Sequence, residues 1–207
     1  MEILVTNSSS LVTKPSNTKE GERYSYYDAA TGGGSPYKYK ELLNTAKKYI
    51  AIWDPYLNKG DERIFDSLKG NKLEILILCS CDDYQSEVEI SDIADKIYAK
   101  ISSTDSTLQI KCYRNRKIGG RYFNINALWH DRYLIIDKET VYLVGSSINN
   151  QISGNLSSGI YKIDDGNAED KKIIIDAFIN YCYNVNRENK NGSKNGFTLN
   201  RPCKSKH

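Results

Sequence analysis

His130-Asp131-Arg132-Tyr133-Leu134-Ile135-Ile136-Asp137, followed within a few residues by Val144-Gly145-Ser146-Ser147-Ile148-Asn149, is the stretch that organises this chain. Residues 133–136 and 141–144 read as two apolar strands joined by the polar turn Asp137-Lys138-Glu139-Thr140. Residues two apart on a strand share a face, so His130 and Arg132 are expected to project together. Asp137 lies an odd number of positions from His130 and reaches the same place only through a bend or turn. The other histidine, His207, reads as a tail residue.

This set of side chains suits phosphoryl chemistry. A neutral imidazole is nucleophilic near neutral pH and can form a phosphohistidine, splitting one hard displacement into two easier steps. A guanidinium at Arg132 can take two non-bridging phosphate oxygens in a fork and stabilise charge in the transition state. Asp137 could hydrogen-bond an imidazole N–H and fix its tautomer, and Ser146, Ser147 and Asn149 could supply further donors. Plainer readings stay open: a structural histidine at His130, and a surface ion pair from Arg132 to Asp131 or Glu139.

Outward from this stretch, strands and helices alternate. Tyr39, Leu42, Leu43 and Ala46 recur at helical spacing after Ser35-Pro36, a good helix start. Residues 49–53 read as a buried strand that Asp54-Pro55 stops. A short helix around 60–69 leads to a second buried strand at 73–78. Val88, Ile90, Ile93, Ala94, Ile97 and Ile101 form a helical stripe, and Leu108, Ile110 and Cys112 alternate as a strand does. Residues 173–181 form a last amphipathic helix. The pattern predicts an α/β fold, a mixed sheet flanked by helices, in one domain over 36–185. Residues 1–35 read as an irregular arm and 186–207 as a solvated, polar basic tail.

Bulk composition narrows the classes. A hydrophobic share of 39% in 207 residues supports one sizeable core. Net charge is only +3, so any nucleic-acid affinity must come from local clustering. The five cysteines are scattered; Cys79 and Cys81 lack a second C-x-C or a nearby histidine, so no zinc site is expected. Unpaired thiols without a signal peptide point to a reducing, cytoplasmic location. No apolar run approaches the ~18 residues that a membrane span needs.

The run from His130 to Asp137 with Gly145-Ser146-Ser147-Ile148-Asn149 resembles the H-x-K-x4-D…G-S motif of the phospholipase D-like superfamily. Upstream, Ala46-Lys47-Lys48-Tyr49-Ile50-Ala51-Ile52-Trp53-Asp54-Pro55-Tyr56-Leu57 looks like that superfamily's first helix–strand unit, and the likeness spans roughly residues 36–182. It implies a phospholipase D-like domain with phosphodiesterase or phosphatidyltransferase activity, without metal or cofactor. In the family two motifs share one site, one histidine attacking phosphorus and the other protonating the leaving group. A chain with one motif is therefore expected to work as a homodimer. Short single-motif members include endonucleases, which implies a nuclease acting on nucleic acid.

Three departures stand out. Arg132 occupies the usual lysine position, the turn after Asp137 is one residue longer, and Asn149 falls four after Gly145 rather than three. The H-D-R opening and G-x-S ending also resemble the phospholipase D-like C-terminal domain found behind MIT domains. That likeness implies a non-catalytic module binding phosphoinositide, a phospholipid headgroup, or a protein partner.

Further site candidates lie outside the motif. Asp54 and Tyr56 end a strand, the edge at which open α/β sheets place ligands, although Asp-Pro also simply stops strands. Lys111, Arg114, Arg116, Lys117 and Arg121, interleaved with Tyr113, Tyr122 and Phe123, suit a nucleic-acid groove or a solvated loop equally. Gly32-Gly33-Gly34-Ser35 could cradle a phosphate but reads better as a hinge.

Overall fold

The computed structural model describes residues 24–27, 36–66, 68, 72–81, 87–101, 105–114, 116–118, 121–123, 131–148, 158–188, 192 and 194–202. Among these, eight strands form one mixed sheet in the order β1-β9-β8-β7-β2-β3-β4-β10. The strands are β1 (Tyr24–Tyr27), β2 (Tyr49–Tyr56), β3 (Glu74–Cys81), β4 (Thr107–Arg114), β7 (Arg132–Ile136), β8 (Thr140–Val144), β9 (Ser158–Lys162) and β10 (Gly196–Arg201). A separate ribbon pairs β5 (Arg116–Ile118) with β6 (Arg121–Phe123). The helices are α1 (Pro36–Leu43), α2 (Glu87–Ile101) and α3 (Ala168–Asn184), with a 3-10 turn at Asp61–Phe65.

Strands β2, β3 and β4 run parallel at the centre, as crossovers through the 3-10 turn and α2 require, and β7 pairs antiparallel with β2. Apolar residues on both faces of β2 and β3 explain why these segments read as unbroken runs. One face carries Ile50, Ile52, Ile75, Ile77, Ile110 and Leu134, and packs on Tyr39 and Leu43 of α1, Phe65, and the Ile90-Ile93-Ile97-Ile101 stripe of α2. The opposite face carries Tyr49, Ala51, Trp53, Leu78 and Ile135, and packs on Phe178 and Cys182 of α3. Tyr113 Oη donates to the Tyr181 carbonyl at 2.7 Å and fastens α3 to the sheet. The expected α/β architecture, a mixed sheet with helices on both faces, is present.

Three expectations are corrected. The arm is not wholly irregular, because β1 pairs antiparallel with β9 at the sheet edge. The tail is not wholly solvated: Gly196–Arg201 pairs antiparallel with β4 and buries Phe197. Its first residue must be glycine, since a Cβ there would lie 2.0 Å from the Cys112 carbonyl oxygen. Asp54-Pro55 does not stop β2, which continues to Tyr56 through a register shift between Trp53 and Tyr56.

Candidate functional site

The parallel strands β2 and β3 bring their C-terminal ends to one edge of the sheet, and antiparallel β7 begins at that edge. The Trp53–Tyr133 pair leaves Asp54 and Arg132 next along their strands, on the face that carries Ile52 and Leu134. Arg132 pairs with Val144, so the Gly145-Ser146-Ser147-Ile148 run starts beside it.

Asp54 is the hub. It is 2% exposed; its Oδ1 accepts from the Tyr56 amide at 2.9 Å, and its Oδ2 from the Ile148 amide at 2.8 Å. Arg132 Nε lies 3.4 Å from Asp54 Oδ1, and the guanidinium carbon sits 5.3 Å from the centroid of the half-exposed Tyr56 ring. Burial pushes the Asp54 carboxyl up to about 6, against the pull of the two amides and Arg132. Ser146 and Ser147 are buried in the same run. The arrangement is a mostly buried guanidinium beside a buried carboxylate, with an aromatic ring against it. Such a group can take a phosphate or another oxyanion.

A second buried carboxyl, Asp61, lies on the 3-10 turn and was not singled out from the sequence. Its Oδ2 accepts from the Asn58 amide at 2.7 Å, whereas its Oδ1 has no hydrogen-bond partner among the described residues. Burial, with added repulsion from Asp54 and Glu62, pushes it up to about 7. Its neighbours Lys59, Glu62 and Arg63 are charged, so nothing local marks Asp61 as buried.

The structure does not bring Asp137 to this site. It follows the opposite end of β7, about 16 Å from Arg132 at ordinary strand rise. Its Oδ1 accepts from the amides of Lys48 at 2.8 Å and Tyr49 at 2.9 Å, and its Oδ2 from Lys47 at 3.0 Å. Burial opposes ionisation, but these three amides outweigh it and hold the carboxyl below its ordinary value. Asp137 and Lys138 adopt φ of 53° and 61°, a left-handed turn that an aspartate tolerates.

Other candidates divide. His130 and Asn149 lie outside the described residues, as do residues 32–35. Arg114 is bonded to Glu87 Oε2 at 2.7 Å and stacks 5.3 Å from the Phe197 centroid. Arg116 opens the β5–β6 ribbon and lies opposite Phe123, with Lys117 opposite Tyr122. The cysteines Cys79, Cys81, Cys112 and Cys182 are buried free thiols. The neighbouring Cys79 thiol, together with burial, holds Cys112 far above the ordinary range, and burial pushes Cys182 up to about 12. Thiols so protonated are poor nucleophiles. No group of three or more His, Cys, Asp or Glu among the described residues is placed to hold a metal ion.

Fold and site together define an α/β protein with a buried carboxylate paired to an arginine at one edge of a mixed sheet. Comparison with known proteins finds similar solved structures at low identity. The first is Nuc from Salmonella typhimurium, a phospholipase D family member: 12% identity, TM-score 0.46, covering 77% of this chain and 90% of that one. NucT from Helicobacter pylori shows 14% identity and a TM-score of 0.44, covering 84% and 98%. Phosphatidylserine synthase from Haemophilus influenzae shows 14% identity and a TM-score of 0.45, covering 75% and 38%. No protein-family model matches the chain, and no curated protein matches it. No helix among the described residues is long and apolar enough to cross a membrane.

Proposed function

We propose that this chain is a phosphodiesterase of the phospholipase D-like type, a metal-independent nuclease working as a homodimer through a phosphohistidine intermediate. The observation that supports it best is the convergence of Arg132, Asp54 and the Ser146-Ser147-Ile148 run at the edge where His130 precedes β7. In the first step a neutral His130 nitrogen attacks phosphorus and a P–N bond forms. The P–O bond to the leaving group breaks, and the departing oxygen takes a proton from the partner subunit's His130. In the second step water attacks phosphorus, a P–O bond forms, the P–N bond breaks to release neutral His130, and the water gives its proton back to the partner's His130. Arg132 clamps the non-bridging oxygens throughout. Asp137, in this reading, orders the scaffold that carries the motif and does not touch the imidazole.

The β5–β6 ribbon supports a nucleic-acid substrate. It is joined to the C-terminal end of β4, at the same sheet edge as Arg132, and its sequence combines Arg116, Lys117 and Arg121 with Tyr122 and Phe123. The test is cleavage of single- and double-stranded DNA and RNA in excess EDTA. Cleavage should persist in EDTA and disappear in His130→Ala; undiminished cleavage by that variant ends the proposal. A second reading is a non-catalytic module that binds a phosphoinositide headgroup or a protein partner through Arg132. The close pairing of Arg132 with Asp54 favours it, because a neutralised guanidinium stabilises a dianionic transition state less well. A monomer in sedimentation equilibrium, with anionic-lipid binding lost in Arg132→Ala and no turnover, would select that reading.

A further inference from the structure

We infer that Asp54 is a positioning residue for the phosphate site: it sets the orientation of the Arg132 guanidinium and locks it to the Gly145-Ile148 run, without meeting the phosphate itself. The inference rests on the reading of Arg132 as the phosphate clamp.

Four contacts carry it. Both Asp54 oxygens are anchored to backbone amides of different segments, Tyr56 on β2 and Ile148 after β8, so the carboxylate is a fixed body within the fold. Its Oδ1 lies 3.4 Å from Arg132 Nε, an ion pair outside hydrogen-bond geometry, and the Tyr56 ring covers one guanidinium face. A fixed negative charge beside Nε and a ring over one face favour one orientation of the planar fork. The burial of Asp54 removes it from any ligand arriving past the half-exposed Tyr56. A carboxylate buried this deeply is costly to ionise, and Arg132 with the two amides offsets that cost.

This role makes a prediction opposite to that of simple charge. A negative group beside an anion site repels the anion, so its removal should tighten binding. A positioning carboxylate does the reverse: removing it, or protonating it, frees the guanidinium and weakens binding. The charged and titratable groups around Asp54 are Arg132 on β7, Asp61 on the 3-10 turn and Tyr39 on α1. His130, which the proposed function puts at the same phosphate, gains charge as pH falls and strengthens anion binding, a change of the opposite sign. Its contribution and that of Asp61 are removed by repeating the measurement in His130→Ala and in Asp61→Asn.

The experiment uses dimethyl phosphate, which keeps a single negative charge from pH 4 to 9, and follows its affinity for the full chain by NMR titration. Affinity of His130→Ala should fall as pH drops through about 6, where Asp54 gains its proton. Asp54→Asn should bind about tenfold more weakly at pH 8 and show no fall in affinity towards lower pH. Equal or tighter binding by Asp54→Asn, or a flat profile in His130→Ala, overturns the inference. If the unaltered protein does not bind dimethyl phosphate, the phosphate reading itself has failed, and the positioning contact is then judged from thermal melting. Asp54→Asn, Arg132→Gln and the double variant should show a shared loss, the double falling clearly short of the sum. Losses that add to within about 1–2 °C overturn the contact as well.

Discussion

The Asp137 carboxylate accepts the Tyr49 amide at 2.9 Å, tying the turn after β7 to the first residue of β2, with Lys47 and Lys48 held by the same group. Asp137→Ala removes the acceptor for three amides and leaves alanine at a φ of 53°. Stability should fall by about 2–4 kcal/mol, read by urea unfolding at pH 7. The folded-state pKa is lowered, so the Asp137 contribution is fully present above its ordinary value of 3.8 and is lost as pH falls through the depressed folded value. Asp137→Asn should flatten that acid-side loss. Unchanged stability in both variants would contradict the scaffold role.

Asp61 acts with the opposite sign. Its pKa rises from 3.8 in the unfolded chain to about 7 in the fold, so between those values the folded state holds a proton that the unfolded state has released. Stability from this group is therefore fully present near pH 4 and is lost as pH rises through about 7. Asp61→Asn keeps an acceptor for the Asn58 amide and should stabilise the protein at pH 8 by about 1–3 kcal/mol. At pH 4 it should change little. Destabilisation at pH 8 would show that the ionised form is better served than the unpartnered Oδ1 suggests.

Arg114 and Arg116 should differ in what they do for polyanion binding. Arg114 is engaged by Glu87 and Phe197, while Arg116 opens the ribbon. Arg116→Ala should lower the log–log salt slope of binding to a single-stranded oligonucleotide by about 1. Arg114→Ala should move that slope less and cost thermal stability instead. Equal slopes for both variants and the unaltered protein would remove the ribbon from the interface.

Much of the fold was legible because burial on both faces of a parallel strand leaves an unbroken apolar run, as in Ile50-Ala51-Ile52 and Leu76-Ile77-Leu78. The stripe from Ile90 to Ile101 was equally plain, since one face of α2 packs on the sheet. β10 was not, although Phe197 and Leu199 alternate with Thr198 and Asn200. An edge strand pays for its exposure with polar residues, and the surrounding Lys, Asn and Gly masked the period. β1 is four residues long and lies among polar neighbours, so nothing separated it from a loop.

The site was legible only in part. Strand parity paired Arg132 with His130, which lies outside the described residues, and the sheet-edge argument singled out Asp54, which lies beside Arg132. Their contact follows from the antiparallel register of β2 and β7, which no local spacing encodes. Asp137 sits at fixed spacing in the motif, yet its partners are backbone amides from a distant segment, and backbone donors leave no mark in residue identity.

The most direct measurement is mass spectrometry of protein quenched during turnover of a short oligonucleotide in EDTA. The account predicts one nucleotidyl adduct, mapped to the peptide containing His130 and absent from His130→Ala. Turnover with no adduct, or an adduct on any other residue, would contradict it.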